Sequence, residues 1–195
     1  MTRFVDRGAI TAGYVGIGMA VTIALSFLLV IPIEPIYWLL ALPAGLLIGY
    51  YANQRSDRRA GPWSRIIANA GYAGLLTALT MAAFLLVVKG LFFFGDGGYP
   101  DFNRIDAKTR LPVPPSCQSG ADCVYARYLL AGDGPQLAAA GITDTATFTG
   151  FYWGQQAAST ETVLVLTLAG GLGGGLLYGV FRPKAARTSS SIVSG

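Results

Sequence analysis

The side chains able to do chemistry in this chain are few. Cys117 and Cys123 are its two cysteines, with five residues between them in one polar stretch. A thiol pair can form a structural bridge or exchange electrons with a substrate. Redox-active pairs favour the tighter Cys-x-x-Cys spacing, so this pair reads as a structural disulfide of an oxidising compartment. Closing so short a loop contributes about 2–3 kcal/mol in the chain-entropy picture. Asp96 and Asp101 lie close together, but the run lacks the further carboxylates and terminal glutamate of a calcium loop. It reads as a turn.

Three charges stand apart. Lys89 lies a few residues inside the far end of the third apolar stretch, Glu34 sits in a short link, and Glu161 opens the fourth stretch. Lys89 could snorkel its ammonium to the membrane surface, pair with one of the two carboxylates at the outer face, or form part of a substrate or ion site.

The sequence contains no histidine. That removes the usual haem ligand, the commonest zinc ligand and the commonest general base. Met19 and Met81 read as packing residues. The glycine run near the C-terminus lacks the Lys-Ser/Thr of a phosphate-binding loop. No catalytic, cofactor-binding or metal-binding residue is assigned, and no cofactor is expected.

The elements that position these residues are apolar. Of 195 residues, 53% are hydrophobic and 12% charged, about half the charged share of a soluble domain at roughly 25%. Four long apolar stretches run from about Ala9 to Ile31, Ile36 to Ala52, Ile66 to Phe94 and Thr162 to Phe181. A bilayer core of about 30 Å needs roughly 20 helical residues, and spans must be helical or closed barrels because bare backbone is too costly in lipid. The expected fold is an all-α integral membrane protein with four transmembrane helices. The first stretch is too long for a signal-peptide core, and Pro32-Ile33-Glu34-Pro35 is no cleavage site.

Basic residues set the orientation. Arg3 and Arg7 precede the first span, Arg55, Arg58, Arg59 and Arg65 join the second to the third, and Arg182, Lys184 and Arg187 follow the fourth. The expectation is a multi-pass protein of the plasma (inner) membrane, with both termini cytoplasmic and residues 95–161 outside. The net charge of +4 is thereby explained without nucleic acid. The chain divides into 1–94 with three spans, the outer loop 95–161, the fourth span 162–181 and a tail 182–195. Within the loop, 122–130 suggests a short amphipathic helix with Val124, Tyr128 and Leu129 on one face. Residues 136–140 suggest another helical turn, and 145–153 could lie against the interface.

Small residues recur at helical spacing. Ala12-Gly13-Tyr14-Val15-Gly16 aligns with Ala70-Gly71-Tyr72-Ala73-Gly74, and Ala44 to Gly49 aligns more weakly with Gly174 to Gly179. The pattern suggests two tandem hairpins of common origin, an arrangement known in transporters, or convergent small-residue composition. Either way Gly16, Gly45, Gly49, Gly74, Gly171, Gly175 and Gly179 mark faces where helices approach closely. These stripes either pack the four spans together or, most plausibly on the fourth span, dock the helix of another protein.

In outline the topology resembles four-helix thiol oxidoreductases, but those need a cysteine pair in the first outer loop, and 32–35 has none. It also resembles tetraspanins, whose Cys-Cys-Gly signature is absent. The functional expectation is a non-catalytic accessory or scaffold subunit of a larger membrane complex, with the bilayer and other integral membrane subunits as partners. The alternatives are a small-solute channel or transporter, and a sensor with a ligand-binding outer loop.

Overall fold

The computed structural model describes residues 5–30, 34–57, 61–95, 106, 108–111 and 119–182. Among these every regular element is a helix. Helix α1 spans Arg7–Ala24 and continues as a π-helical stretch, Leu25–Val30. Helix α2 spans Glu34–Gln54, α3 Trp63–Gly95, α4 Ala121–Leu130, α5 Gly134–Ala139 and α6 Thr145–Phe181. Four stretches are long and apolar enough to cross a membrane: Arg7–Leu29, Pro35–Gln54, Trp63–Gly95 and Thr145–Phe181. The described residues match the expected all-α class, with four helices long and apolar enough to cross a membrane.

Local chemistry explains the boundaries. Asp6 caps α1 by accepting from the Ala9 amide at 3.1 Å. Pro43 sits inside α2, where it removes one helical donor, a loss that spanning helices tolerate when neighbours re-satisfy the backbone. Asp144 and Thr147 form a reciprocal capping box at the start of α6. The Thr147 amide and hydroxyl hydrogen bonds hold the exposed Asp144 carboxyl below its ordinary range.

The contacts fix helix direction. Asp6 meets Asn69 and Gly16 meets Thr77, so α1 and α3 run parallel. Leu42 meets Gly170 and Leu46 meets Gly174, so α2 and α6 run parallel. Tyr37 bonds Met81 and Asn53 bonds Ile66, so α2 opposes α3. Phe93 stacks on Tyr152 while Ala70 meets Gly175, so α6 opposes α3. One end of the bundle therefore gathers Arg7, Arg55, Arg65 and Arg182 with Trp63. The other end carries Trp38, Lys89, Phe93 and Trp153.

In cross-section α2 and α3 form the short diagonal. Helix α1 touches both, α6 touches both, and α1 does not touch α6 among the described residues. A twofold relating two interacting hairpins would make the α2–α3 and α1–α6 contacts equivalent. Among the described residues only the first exists, so the helix arrangement lends the duplication no support.

Helices α3 and α6 are longer than a bilayer core requires. At 1.5 Å per residue their 33 and 37 residues reach roughly 50 and 55 Å, against a core of about 30 Å. The excess carries a second core. Val124 and Tyr128 of α4, Leu137 of α5, Ile142, and Phe148 and Tyr152 of α6 close around Phe93 of α3. The Gly120 amide donates to the Phe93 carbonyl at 2.8 Å, tying the loop to the end of α3. We call this unit the cap.

The cap adjusts two expectations. Val124 and Tyr128 are buried as the pattern suggested, but Leu129 is 44% exposed. Residues 145–161 belong to the same continuous helix as the fourth span. The capping box at Asp144 starts that helix well before the apolar run, and Phe148 and Tyr152 give its first turns a core to bury into.

Candidate functional site

All seven glycines expected at helix contacts lie at them. A Cβ on Gly45 would overlap the Thr167 carbonyl, and one on Gly49 the Gly171 carbonyl. A Cβ on Gly171 would stand 2.9 Å from the Gly74 Cα, and one on Gly74 would stand 3.1 Å from the Gly171 Cα. Gly175 faces Ala70, Gly179 faces the Trp63 ring and Gly16 faces the Thr77 hydroxyl. The pattern missed Gly170 and Gly174, which face the Leu42 and Leu46 carbonyls, and Gly8, which faces Arg55. Helix α6 thus has adjoining glycine faces, one against α2 and one against α3. This corrects the idea that its glycine stripe docks another protein's helix, because α2 and α3 of the same chain already cover it.

Lys89 is 3% exposed on α3, and Glu161 is exposed on α6. The Glu34 side chain lies outside the described residues. So do Cys117, the Asp96–Asp101 run, most of the proline-rich piece and the tail after Arg182. Cys123 is buried on α4 at 4% exposure.

Polar side chains within the spans mostly tie the chain to itself. The Tyr37 hydroxyl donates to the Met81 carbonyl at 2.6 Å, and Trp38 Nε1 donates to Ser159 Oγ at 2.8 Å. Thr22, Thr77, Thr80 and Thr167 each donate to the carbonyl four residues earlier. Gln156 is buried near the cap, its side-chain oxygen without a hydrogen-bond partner.

At the basic end Asp6 forms a knot absent from the expected site residues. Its Oδ2 accepts from Asn69 Nδ2 at 3.0 Å and from the Ser56 hydroxyl, while Oδ1 caps α1. Asn53 donates to the Gly49 and Ile66 carbonyls, both at 3.1 Å. Arg182 donates to the Gly61 carbonyl, its guanidinium 5.8 Å from the Trp63 ring.

Among the described residues the cap carries a groove of about 240 Å³, lined by Tyr128, Asp133, Gln136, Leu137, Ala140, Phe151 and Gln155. In sequence terms these residues come from the short amphipathic helix (Tyr128), the helical turn at 136–140 (Gln136, Leu137, Ala140) and the interface segment (Phe151), with Asp133 and Gln155 outside all three. No group of three or more Cys, Asp or Glu among the described residues could hold a metal ion. Comparison of the chain with protein-family models, with curated proteins and with solved structures found no match.

Proposed function

We propose that the chain is a non-catalytic membrane subunit whose four-helix bundle anchors a folded cap beside partner membrane proteins. The carrying observation is the use of the polar groups within the spans. Four threonine hydroxyls bond back to their own helices, and Tyr37, Trp38 and Asn53 bond to neighbouring ones. Groups spent in this way favour an anchor over a solute pathway, which would keep them turned toward a passage. Gentle extraction of the native membrane, followed by a native gel and mass spectrometry, tests the reading. A stoichiometric complex with other membrane proteins is expected; a chain that migrates alone sinks the proposal.

The reading includes an orientation and a bridge. The arginine-rich end faces the cytoplasm, the cap faces out, and Cys117 bridges Cys123. Intact cells treated with a membrane-impermeant maleimide should show no labelling at these cysteines until a reductant is added, and labelling at Cys117 thereafter, Cys123 being buried on α4. Labelling without reductant overturns the bridge, and labelling confined to opened cells overturns the orientation. The cap groove favours a second reading, a membrane sensor whose outer part takes a small ligand.

A further inference from the structure

We infer that the cap groove is a binding site for one ring of a neutral sugar; this deepens the sensor reading and rests on it. The groove is a gap between two helices. Among the described residues α4 packs against both α5 and α6, while the α5 backbone stands clear of α6. Tyr128 of α4 and Leu137 of α5 are the buried members of the lining and form its floor. The two walls are alike. Helix α6 contributes Phe151 and, four residues on, Gln155. The α5 side contributes Gln136 and, four residues on, its C-cap Ala140. Residues four apart share a helix face, so each wall sets one carboxamide beside one apolar group.

The lining favours a neutral guest. Its one carboxylate, Asp133, already takes part in an interaction within the chain, and no basic side chain lines the groove. The groups left to meet a guest are the two carboxamides. Gln136 and Gln155 are exposed, and neither side chain is hydrogen-bonded among the described residues. A carboxamide donates through its nitrogen and accepts through its oxygen, and a hydroxyl does both through one atom. Adjacent hydroxyls on the two edges of a sugar ring therefore match a carboxamide on each wall. The faces of such a ring are C–H bonds, which pack on aromatic carbon. Phe151 is half-buried beside Gln155, and the Tyr128 ring is held edge-on against Phe148, with centroids 5.0 Å apart. A peptide strand would need its partners in a row along one edge; here they stand on opposite walls, which fits a ring set between them.

Size limits the guest to one ring. About 240 Å³ falls below the usual ligand pocket of roughly 300–1,000 Å³. Taking water's ~30 Å³ as a yardstick, the groove encloses about eight heavy atoms. That covers the ring of a hexose and leaves its outer substituents in solvent. The guest is thus a free monosaccharide or the end unit of a glycan, which present the same ring to the groove.

The test uses the full-length protein in phosphatidylcholine nanodiscs, because sugar-headed detergents would compete. Glucose is titrated by saturation-transfer NMR, with N-acetylalanine methylamide as a neutral peptide probe of similar size. Glucose should bind and the peptide probe should not. Gln155→Ala, on the exposed face of α6, should weaken glucose about fivefold, the worth of one neutral hydrogen bond. Phe151→Ala should weaken it about tenfold through the lost ring face. If Phe151→Ala fails to fold, Gln136→Ala replaces it and should match Gln155→Ala. Gly173→Ala, on α6 outside the groove, should bind as the parent does. No binding of glucose, or parent-like binding in the folded glutamine variants, overturns the inference. Binding of the peptide probe in place of glucose also overturns it while leaving the sensor reading alive. Failure of glucose, the peptide probe and a library of neutral fragments alike removes the sensor reading as well. Maltose separates the sources: binding as tight as that of glucose identifies a glycan end, and binding of glucose alone identifies a free monosaccharide, either supporting the site.

Discussion

Adding one methyl group at Gly45 is expected to cost the folded bundle about 2 kcal/mol, and Gly45→Leu should leave no monodisperse protein. The Cβ of residue 45 would fall on the Thr167 carbonyl and crowd the Gly171 amide, both backbone groups of α6. A flexible side chain could rotate aside; a backbone carbonyl moves only if its helix moves. Overpacking costs roughly 1–3 kcal/mol and occasionally more, and here it outweighs the ~1 kcal/mol that alanine gains over glycine in a helix. In lipid the spans would stay inserted and lose their packing, since helix association there rests on close van der Waals approach. Gly173 on the same helix provides the control, because a Cβ there meets nothing within 4 Å. Gly173→Ala should be neutral or slightly stabilising. Denaturation in mixed micelles reads both variants, and a Gly45→Ala protein as stable as the parent would refute the backbone-contact account.

The contrast between Gly45 and Gly173 shows where sequence reading succeeds and stops. Spacing of four identified Gly45, Gly49, Gly171, Gly175 and Gly179 as contact residues, because residues four apart share a helix face. It could not say which helix each face meets. In the aligned repeat Gly45 corresponds to Gly175, yet Gly45 faces α6 and Gly175 faces α3. Similar small-residue stripes were therefore put to dissimilar uses. Gly170 and Gly174 escaped notice because a second stripe offset by one residue blurs a periodic pattern. Both stripes are needed because α6 is wedged against α2 and α3 together.

The cap was legible in fragments. Val124 and Tyr128 announced one buried face, and 136–140 announced a helical turn. Phe148 and Tyr152 lie outside any run of 20 apolar residues, so hydropathy placed them in a loop. Four residues apart on one helix face, they are what a second core needs, and the Asp144-x-x-Thr147 start was the available signal for a helix there. The groove could not be foreseen, since its walls come from three segments that only the folded cap brings together.

Asp6→Ala should destabilise the protein by about 3 kcal/mol, although charge counting gave Asp6 no role. Its carboxylate joins three helices: it caps α1 through the Ala9 amide, holds Asn69 of α3 and accepts from Ser56 just past α2. Losing a cap costs roughly 0.5–2 kcal/mol, and a hydrogen bond to a charged group contributes about 1.5–3 kcal/mol. Asn69 adds its own penalty, for it is fully buried and would lose the acceptor for its amide. These terms overlap, so the total stays below their sum. Asp6→Asn keeps the cap but meets the Ser56 and Asn69 donors with one oxygen fewer, and should lose about half as much. A double-mutant cycle with Asn69→Ala isolates the tie between α1 and α3. Coupling of about 1 kcal/mol or more is expected for residues in one network. Additive losses would mean that Asp6 only caps its own helix, and that the knot at the arginine-rich end does not hold the bundle together.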